Sequence, residues 1–192
     1  MLRLDCLNRA RTIPGFMGGV QPEVLYDLFN PYNNEQTVGV EVGCLHGKSS
    51  YILANAINKG KLYCIDMWPG NILNKTSTAQ TLEVFLKNTK ECNNIIPIKG
   101  LSPEVIKDWT TPIDFVFIDA SHTNPSDRDN IDFFLPLIKK GGIIAGHDYR
   151  ANLKTIELNW EDVIINVNYL EDKLKQKVMN PSNTSIWYFK LD

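Results

Sequence analysis

Apolar positions recur along the chain in two periods, and the switch between them marks its elements. Val38, Val40 and Val42 form a short β-branched run that predicts a buried parallel strand, while Ile52, Leu53, Ala56 and Ile57 share a helical face ended by Lys59-Gly60. Ahead of them, Pro22 to Phe29 predicts a helix. Lys61 to Asp66 predicts a second strand, and Ser77 to Gln80 has the form of a capping box before a helix carrying Leu82, Phe85, Leu86 and Thr89. The run Ile95 to Gly100 predicts a third strand, at a sheet edge because Pro97 has no N–H to give a central ladder. Ser102-Pro103 offers an N-cap and a first-turn proline for a short helix toward Trp109, and Ile113 to Asp119 predicts the fourth strand. Ser126 is placed to cap a helix through Ile131, Phe134, Leu135 and Ile138, kinked at Pro136, before a fifth strand from Gly141 to Gly146. A helical stripe from Trp160 to Leu174 and a hairpin turning at Asn180-Pro181-Ser182-Asn183 complete the pattern.

Alternation of this kind implies a parallel sheet with helices on both faces, and such sheets bind ligands beyond the carboxyl ends of their strands. The 192 residues contain no linker, repeat or low-complexity tract, so one domain is expected, with 1–36 as an N-terminal helical segment and 37–192 as the core.

Between the first strand and its helix runs Glu41-x-Gly43-x-x-x-Gly47-x-Ser49. The two glycines permit positive φ and close backbone approach, ahead of a helix N-terminus whose N–H groups are free. Gly47-Lys48-Ser49 imitates the end of a P-loop, but Gly43 and Gly47 enclose three residues where that motif needs four. The dinucleotide fingerprint G-x-G-x-x-G fails as well, because Cys44 to His46 contains no glycine.

Composition narrows the partners. A formal net charge of −2 gives no basic footprint, so nucleic acid is not an expected partner. Cys6, Cys44, Cys64 and Cys92 include no CxxC pair, and Cys44 and Cys64, in or beside strands, are read as reduced buried thiols. There is no signal-peptide stretch and no apolar run approaching the roughly 20 residues of a membrane span, which points to a cytoplasmic enzyme with no membrane partner.

With Glu41 before G-x-x-x-G, the loop resembles motif I of the class I S-adenosylmethionine-dependent methyltransferases. Ile113 to His122 (IDFVFIDASH) and Leu135 to Tyr149 (LPLIKKGGIIAGHDY) are similar to the fourth and fifth strands of a branch that includes antibiotic-sugar O-methyltransferases and related small-molecule enzymes, and Ile13 to Gly19 resembles the segment before that branch's first helix. The resemblance runs from about Ile13 to the C-terminus. It implies a Rossmann-like, doubly wound sheet of seven strands in the order 3-2-1-4-5-7-6 with the last strand antiparallel, and S-adenosylmethionine as cofactor. It implies Asp66 as the ribose-binding acid, Glu41 at the methionine end, and a cofactor-binding set completed by Gly43, Gly47, Ser49, Trp68 over the adenine, Ser102 and Asp119. The implied partner is a small-molecule methyl acceptor, methylated on a hydroxyl such as that of a sugar, with room left for a homo-oligomer.

The histidines add an independent signal. His46, His122 and His147 follow predicted strands one, four and five, so all three fall on the ligand-binding rim, with His46 expected to point to solvent. A hydroxyl acceptor must lose a proton, which suits His122 or His147 as a base, and Asp119 with Asp148 as hard oxygen ligands for Mg²⁺. Relatives with this layout often use a divalent ion, but His147-Asp148 stands where some carry two adjacent acidic or amide ligands. Two other readings are carried forward, a noncatalytic S-adenosylmethionine-binding assembly protein and a nicotinamide-dependent oxidoreductase, the second disfavoured by the glycine spacing.

Overall fold

A computed structural model describes residues 2–68, 81–149 and 161–192. Two helices, α1 (Arg3–Arg11) and α2 (Gln21–Phe29), precede the alternation of β1 (Val38–Val42), α3 (Lys48–Ala56), β2 (Lys61–Asp66), α4 (Leu82–Thr89), β3 (Ile95–Lys99), β4 (Ile113–Ile118), α5 (Ser126–Phe134), β5 (Ile138–Gly146), α6 (Glu161–Leu174) and β6 (Trp187–Lys190). The sheet has six strands in the order 3-2-1-4-5-6; all pairs are parallel except β5 with β6. This is the Rossmann-like sheet expected from the sequence, one strand short. Where the seventh was expected, the described residues show a single antiparallel bridge from Met179 to Tyr188.

Period-two alternation splits the core between the two faces of the sheet. In β4, Phe115 and Phe117 face the helices α1 to α3, while Val116 and Ile118 face α5 and α6. Gly39 makes room on β1 for the fully buried Phe115 ring, whose Cζ would lie 2.2 Å from any Cβ there. Pro97 lies on the edge strand β3, paired only with β2, so its missing N–H leaves no central ladder broken.

Several local expectations change. Thr81 caps α4, its Oγ1 accepting from Val84 N at 3.3 Å; the capping box from Ser77 and Trp160 of the later stripe lie outside the described residues. Ser102 caps nothing. Its hydroxyl donates to Asn130 Oδ1 at 2.5 Å, and only a short turn, Glu104–Ile106, follows. Ser126 is the first residue of α5 with no side-chain cap, and Pro136 ends that helix rather than kinking it, so Ile138 begins β5. Among the described residues no helix is long and apolar enough to cross a membrane.

Candidate active site

The carboxyl ends of β1, β2, β4 and β5 open into one cavity of about 810 Å³. At its β2 side, Asp66 organises the glycine loop. Its Oδ2 accepts from Cys44 N at 2.8 Å and Leu45 N at 2.9 Å, and its Oδ1 accepts from Trp68 N at 2.8 Å. A carboxylate oxygen has two acceptor directions, so Oδ1 keeps one for a hydroxyl in the cavity. The Trp68 indole N–H donates to Leu45 O at 3.0 Å, which ties the loop down from the other side.

Both loop glycines are required by the protein's own packing. A Cβ on Gly43 (φ +87°) would sit 2.0 Å from Asp119 O, and one on Gly47 (φ +89°), the left-handed residue before α3, 2.7 Å from Thr89 Cγ2. Gly43 and Ser49 line the cavity; Gly47 packs behind it against α4.

Three expectations are corrected. Glu41 does not face the cofactor end: its side chain is wholly buried under the loop, near Cys44 and Cys64, and this desolvation pushes its pKa up to about 7. Trp68 does not cover adenine. Its left-handed backbone (φ +40°) turns the ring inward onto Phe85, 4.8 Å between centroids, and Met67, like Phe16 and Leu101, is an exposed apolar side chain on the cavity wall. His46 does not point to solvent either; it is buried, and neither ring nitrogen has a hydrogen-bond partner. Ser102 lies on the cavity wall with its hydroxyl committed to Asn130.

At the far side, β4 and β5 deliver Asp119, His122, His147 and Asp148 to one cluster lining the cavity. His122 Nε2 lies 2.9 Å from Asp148 Oδ2 and 3.3 Å from Asp119 Oδ1. His147 Nδ1 lies 3.3 Å from Asp148 Oδ2 and 3.7 Å from Asp119 Oδ1. Burial opposes the charge on His122, but hydrogen bonds to the two carboxylates outweigh it and push its pKa up to about 10. His147 moves the same way, against a similar burial penalty, and the imidazoles hold Asp148 well below the usual carboxylate range despite its burial. The two carboxylates therefore already have a cation between them, the His122 ring, and their proximity does not by itself call for a metal. Its contacts with the two carboxylates favour the charged form of His122, which makes the ring a weaker base in the free protein.

Backbone geometry sets this rim apart. Leu45, Trp68, His122 and Asp148 all have positive φ, at 48°, 40°, 57° and 60°. A left-handed non-glycine residue costs roughly 1–2 kcal/mol, so the packing around the cavity holds these four against that penalty.

Two residues with no sequence motif complete the cluster. The His147 Nε2–H donates to Gln21 Oε1 at 2.7 Å, and the same oxygen accepts from Ser185 Oγ at 2.9 Å and Ser185 N at 3.2 Å. Gln21 begins α2 and Ser185 precedes β6, so neither follows a strand end as the histidines do.

Residues 40–149 match the Methyltransf_24 family, described as a methyltransferase domain. Among solved structures, the chain is similar to cofactor-bound Rv0187 from MTB, with 16% identity, a TM-score of 0.67, and coverage of 98% of this chain and 87% of that one. It is similar to the O-methyltransferase from Bacillus cereus in complex with SAH, with 16% identity, a TM-score of 0.65 and coverage of 99% and 89%. A precorrin-6y C5,15-methyltransferase from Geobacter metallireducens GS-15 matches at 16% identity and a TM-score of 0.63, over 93% and 94%. The last two names describe different methyl acceptors, so at this identity the likeness carries the fold alone.

Proposed function

The chain belongs to the Methyltransf_24 methyltransferase-domain family, and from that premise we propose that it moves a methyl group from S-adenosylmethionine to a hydroxyl of a small-molecule acceptor bound beside Asp119, His122 and Asp148. The observation that carries this reading is the single cavity joining Asp66 to that acid–histidine cluster. Its volume, about 810 Å³, lies within the roughly 300–1,000 Å³ usual for small-molecule sites. The net charge of −2 supports a small acceptor over nucleic acid, and an open cavity at the cluster supports an enzyme over an assembly protein.

The described residues fit the cofactor: Asp66 Oδ1 has acceptor capacity for ribose hydroxyls, and the loop beside it ends in the N-terminus of α3. When bound, S-adenosylmethionine supplies a methyl group already activated on a sulfonium. The protein's task is then alignment, which is worth up to about 7–11 kcal/mol, together with management of the acceptor proton. The His122 imidazolium stabilises negative charge growing on the acceptor oxygen. The Asp119 carboxylate, on the cavity wall, accepts the hydroxyl proton and passes it to solvent. His147, fixed through Nε2 by Gln21, orients Asp148.

The Asp119, His122 and Asp148 ligand atoms lie within 4.8 Å of one another, and two carboxylates with one imidazole suit a divalent ion. Bound there, Mg²⁺ would supply the positive charge that His122 otherwise provides. The test is transfer of labelled methyl from the donor to a panel of small alcohols, phenols and sugars, with and without EDTA. Base-stable methyl ethers are expected. Label recovered only on nitrogen, or none with the donor bound, would reject the acceptor class, and loss of activity in EDTA would assign the charge to the metal.

A further inference from the structure

Beneath the glycine loop, Glu41, Cys44 and Cys64 meet with no part in the mechanism above. All three are buried, and one carboxylate oxygen and both sulfurs lie within 4.8 Å of one another. Cys64 Sγ stands 3.6 Å from Glu41 Oε2. In a tetrahedral zinc site, bonds of about 2.3 Å to sulfur and 2.0 Å to oxygen put those two ligands about 3.5 Å apart. Glu41 Oε1 is buried without a hydrogen bond of good geometry, and so is the Ser50 hydroxyl. A buried orphan oxygen is costly unless something fills its acceptor direction.

We infer that Glu41, Cys44 and Cys64 form a binding site for a thiophilic divalent cation of the zinc type, distinct from any ion at Asp119 and Asp148. The donor set, two sulfurs and one carboxylate, selects zinc over magnesium or calcium. Burial raises the pKa of both thiols in the metal-free state, so binding must displace their protons to solvent, and uptake strengthens as pH rises. Three anionic ligands exceed the ion's charge by one. The N-terminus of α3, from which Ser49 and Ser50 reach toward Glu41, is equivalent to roughly half a positive charge and offsets part of that excess. Cys44 also lines the cofactor cavity, which gives the ion its way in. An ion there ties the glycine loop to β2, so it stiffens the cofactor-binding loop without touching the acceptor.

The test uses the full chain, freed of metal and titrated with Co²⁺. A thiolate-to-cobalt charge-transfer band saturating at one ion per chain, displaced by Zn²⁺, is expected. Cys44→Ser and Cys64→Ser should each abolish the band, and Glu41→Gln should weaken binding by about tenfold or more. If a serine variant fails to fold, X-ray absorption of the zinc-loaded wild-type chain decides the matter, with two sulfur scatterers near about 2.3 Å expected. Absence of the band, its survival in the Cys44→Ser and Cys64→Ser variants, or a shell of oxygen and nitrogen alone would overturn the proposal. Donor binding measured in parallel keeps this outcome separate from that of the methyltransferase reading.

Discussion

His122 Nε2 stands 2.9 Å from Asp148 Oδ2 and a further 3.3 Å from Asp119 Oδ1, so one imidazole bridges the carboxylates that end two adjacent strands. Both acids favour its charged form, which under the proposed function places a cation beside the acceptor. Replacing it with alanine should lower kcat by about 100-fold or more while leaving donor affinity within about twofold, since the proposed acceptor position lies beside the ring. Steady-state kinetics paired with donor titration calorimetry separates the two; a parallel loss of donor affinity would assign His122 to the cofactor.

The same bridge links stability to pH. His122 has its folded pKa raised to about 10 from an ordinary 6.5, so its contribution is complete below 6.5 and lost as pH rises through about 10. The depressed Asp148 belongs to the same ion pair, and its share is lost in acid, below the ordinary carboxylate range. The urea midpoint of wild type relative to His122→Gln should therefore shrink steadily between pH 6.5 and about 10. A difference that stays flat over this interval would mean that the bridge carries no charge.

Asp66→Asn puts an amide N–H₂ against backbone N–H groups that now donate to a carboxylate. Hydrogen bonds to charged groups contribute about 1.5–3 kcal/mol, so donor Kd should rise roughly 10–100-fold. Calorimetry with the demethylated product reads this directly, and an unchanged Kd would remove Asp66 from the cofactor site.

Two glycines with similar positive φ should respond differently to alanine. Gly43 (φ +87°) would bring a Cβ to 2.0 Å of Asp119 O, whereas Gly141 (φ +77°) has nothing within 4 Å. Gly43→Ala should destabilise by about 3 kcal/mol or more and Gly141→Ala by only about 1–2 kcal/mol. Equal losses in chemical denaturation would contradict the packing described for the loop.

Gln21→Leu leaves the His147 Nε2–H and the Ser185 hydroxyl without their shared acceptor. Unfolding free energy should fall by about 1–3 kcal/mol, and the acceptor KM should rise as His147 loses its orientation. A variant as stable and active as wild type would show that Gln21 is dispensable.

Where local chemistry dictated structure, the sequence was readable. The strand Lys61–Asp66 and the helix Leu82–Thr89 occupy the predicted positions because their periods are unambiguous, and Pro97 placed β3 at the edge on steric grounds alone. The gathering of His122 and His147 with two acids followed from strand direction, which a parallel sheet fixes. What was misread depended on partners distant in the chain. Ser102 and Ser126 look like caps, but Asn130, 28 residues on, takes the first hydroxyl. Trp68 and Glu41 sit where cofactor contacts belong, yet a left-handed φ turns one inward and the loop closes over the other. The cluster at the ends of β4 and β5 was legible as a set of residue types, but its electrostatics were not, because these depend on distances between side chains.

The Gln21–Ser185 contact spans 164 residues of chain. Contacts of such separation form after the local and strand-to-strand ones, since the loop they close is long. Loss of the segment from Ser185 onward would remove the shared contact at Gln21 together with the buried Ile186, Trp187 and Phe189, so the orientation of His147 and the closing edge of the sheet depend on the same segment.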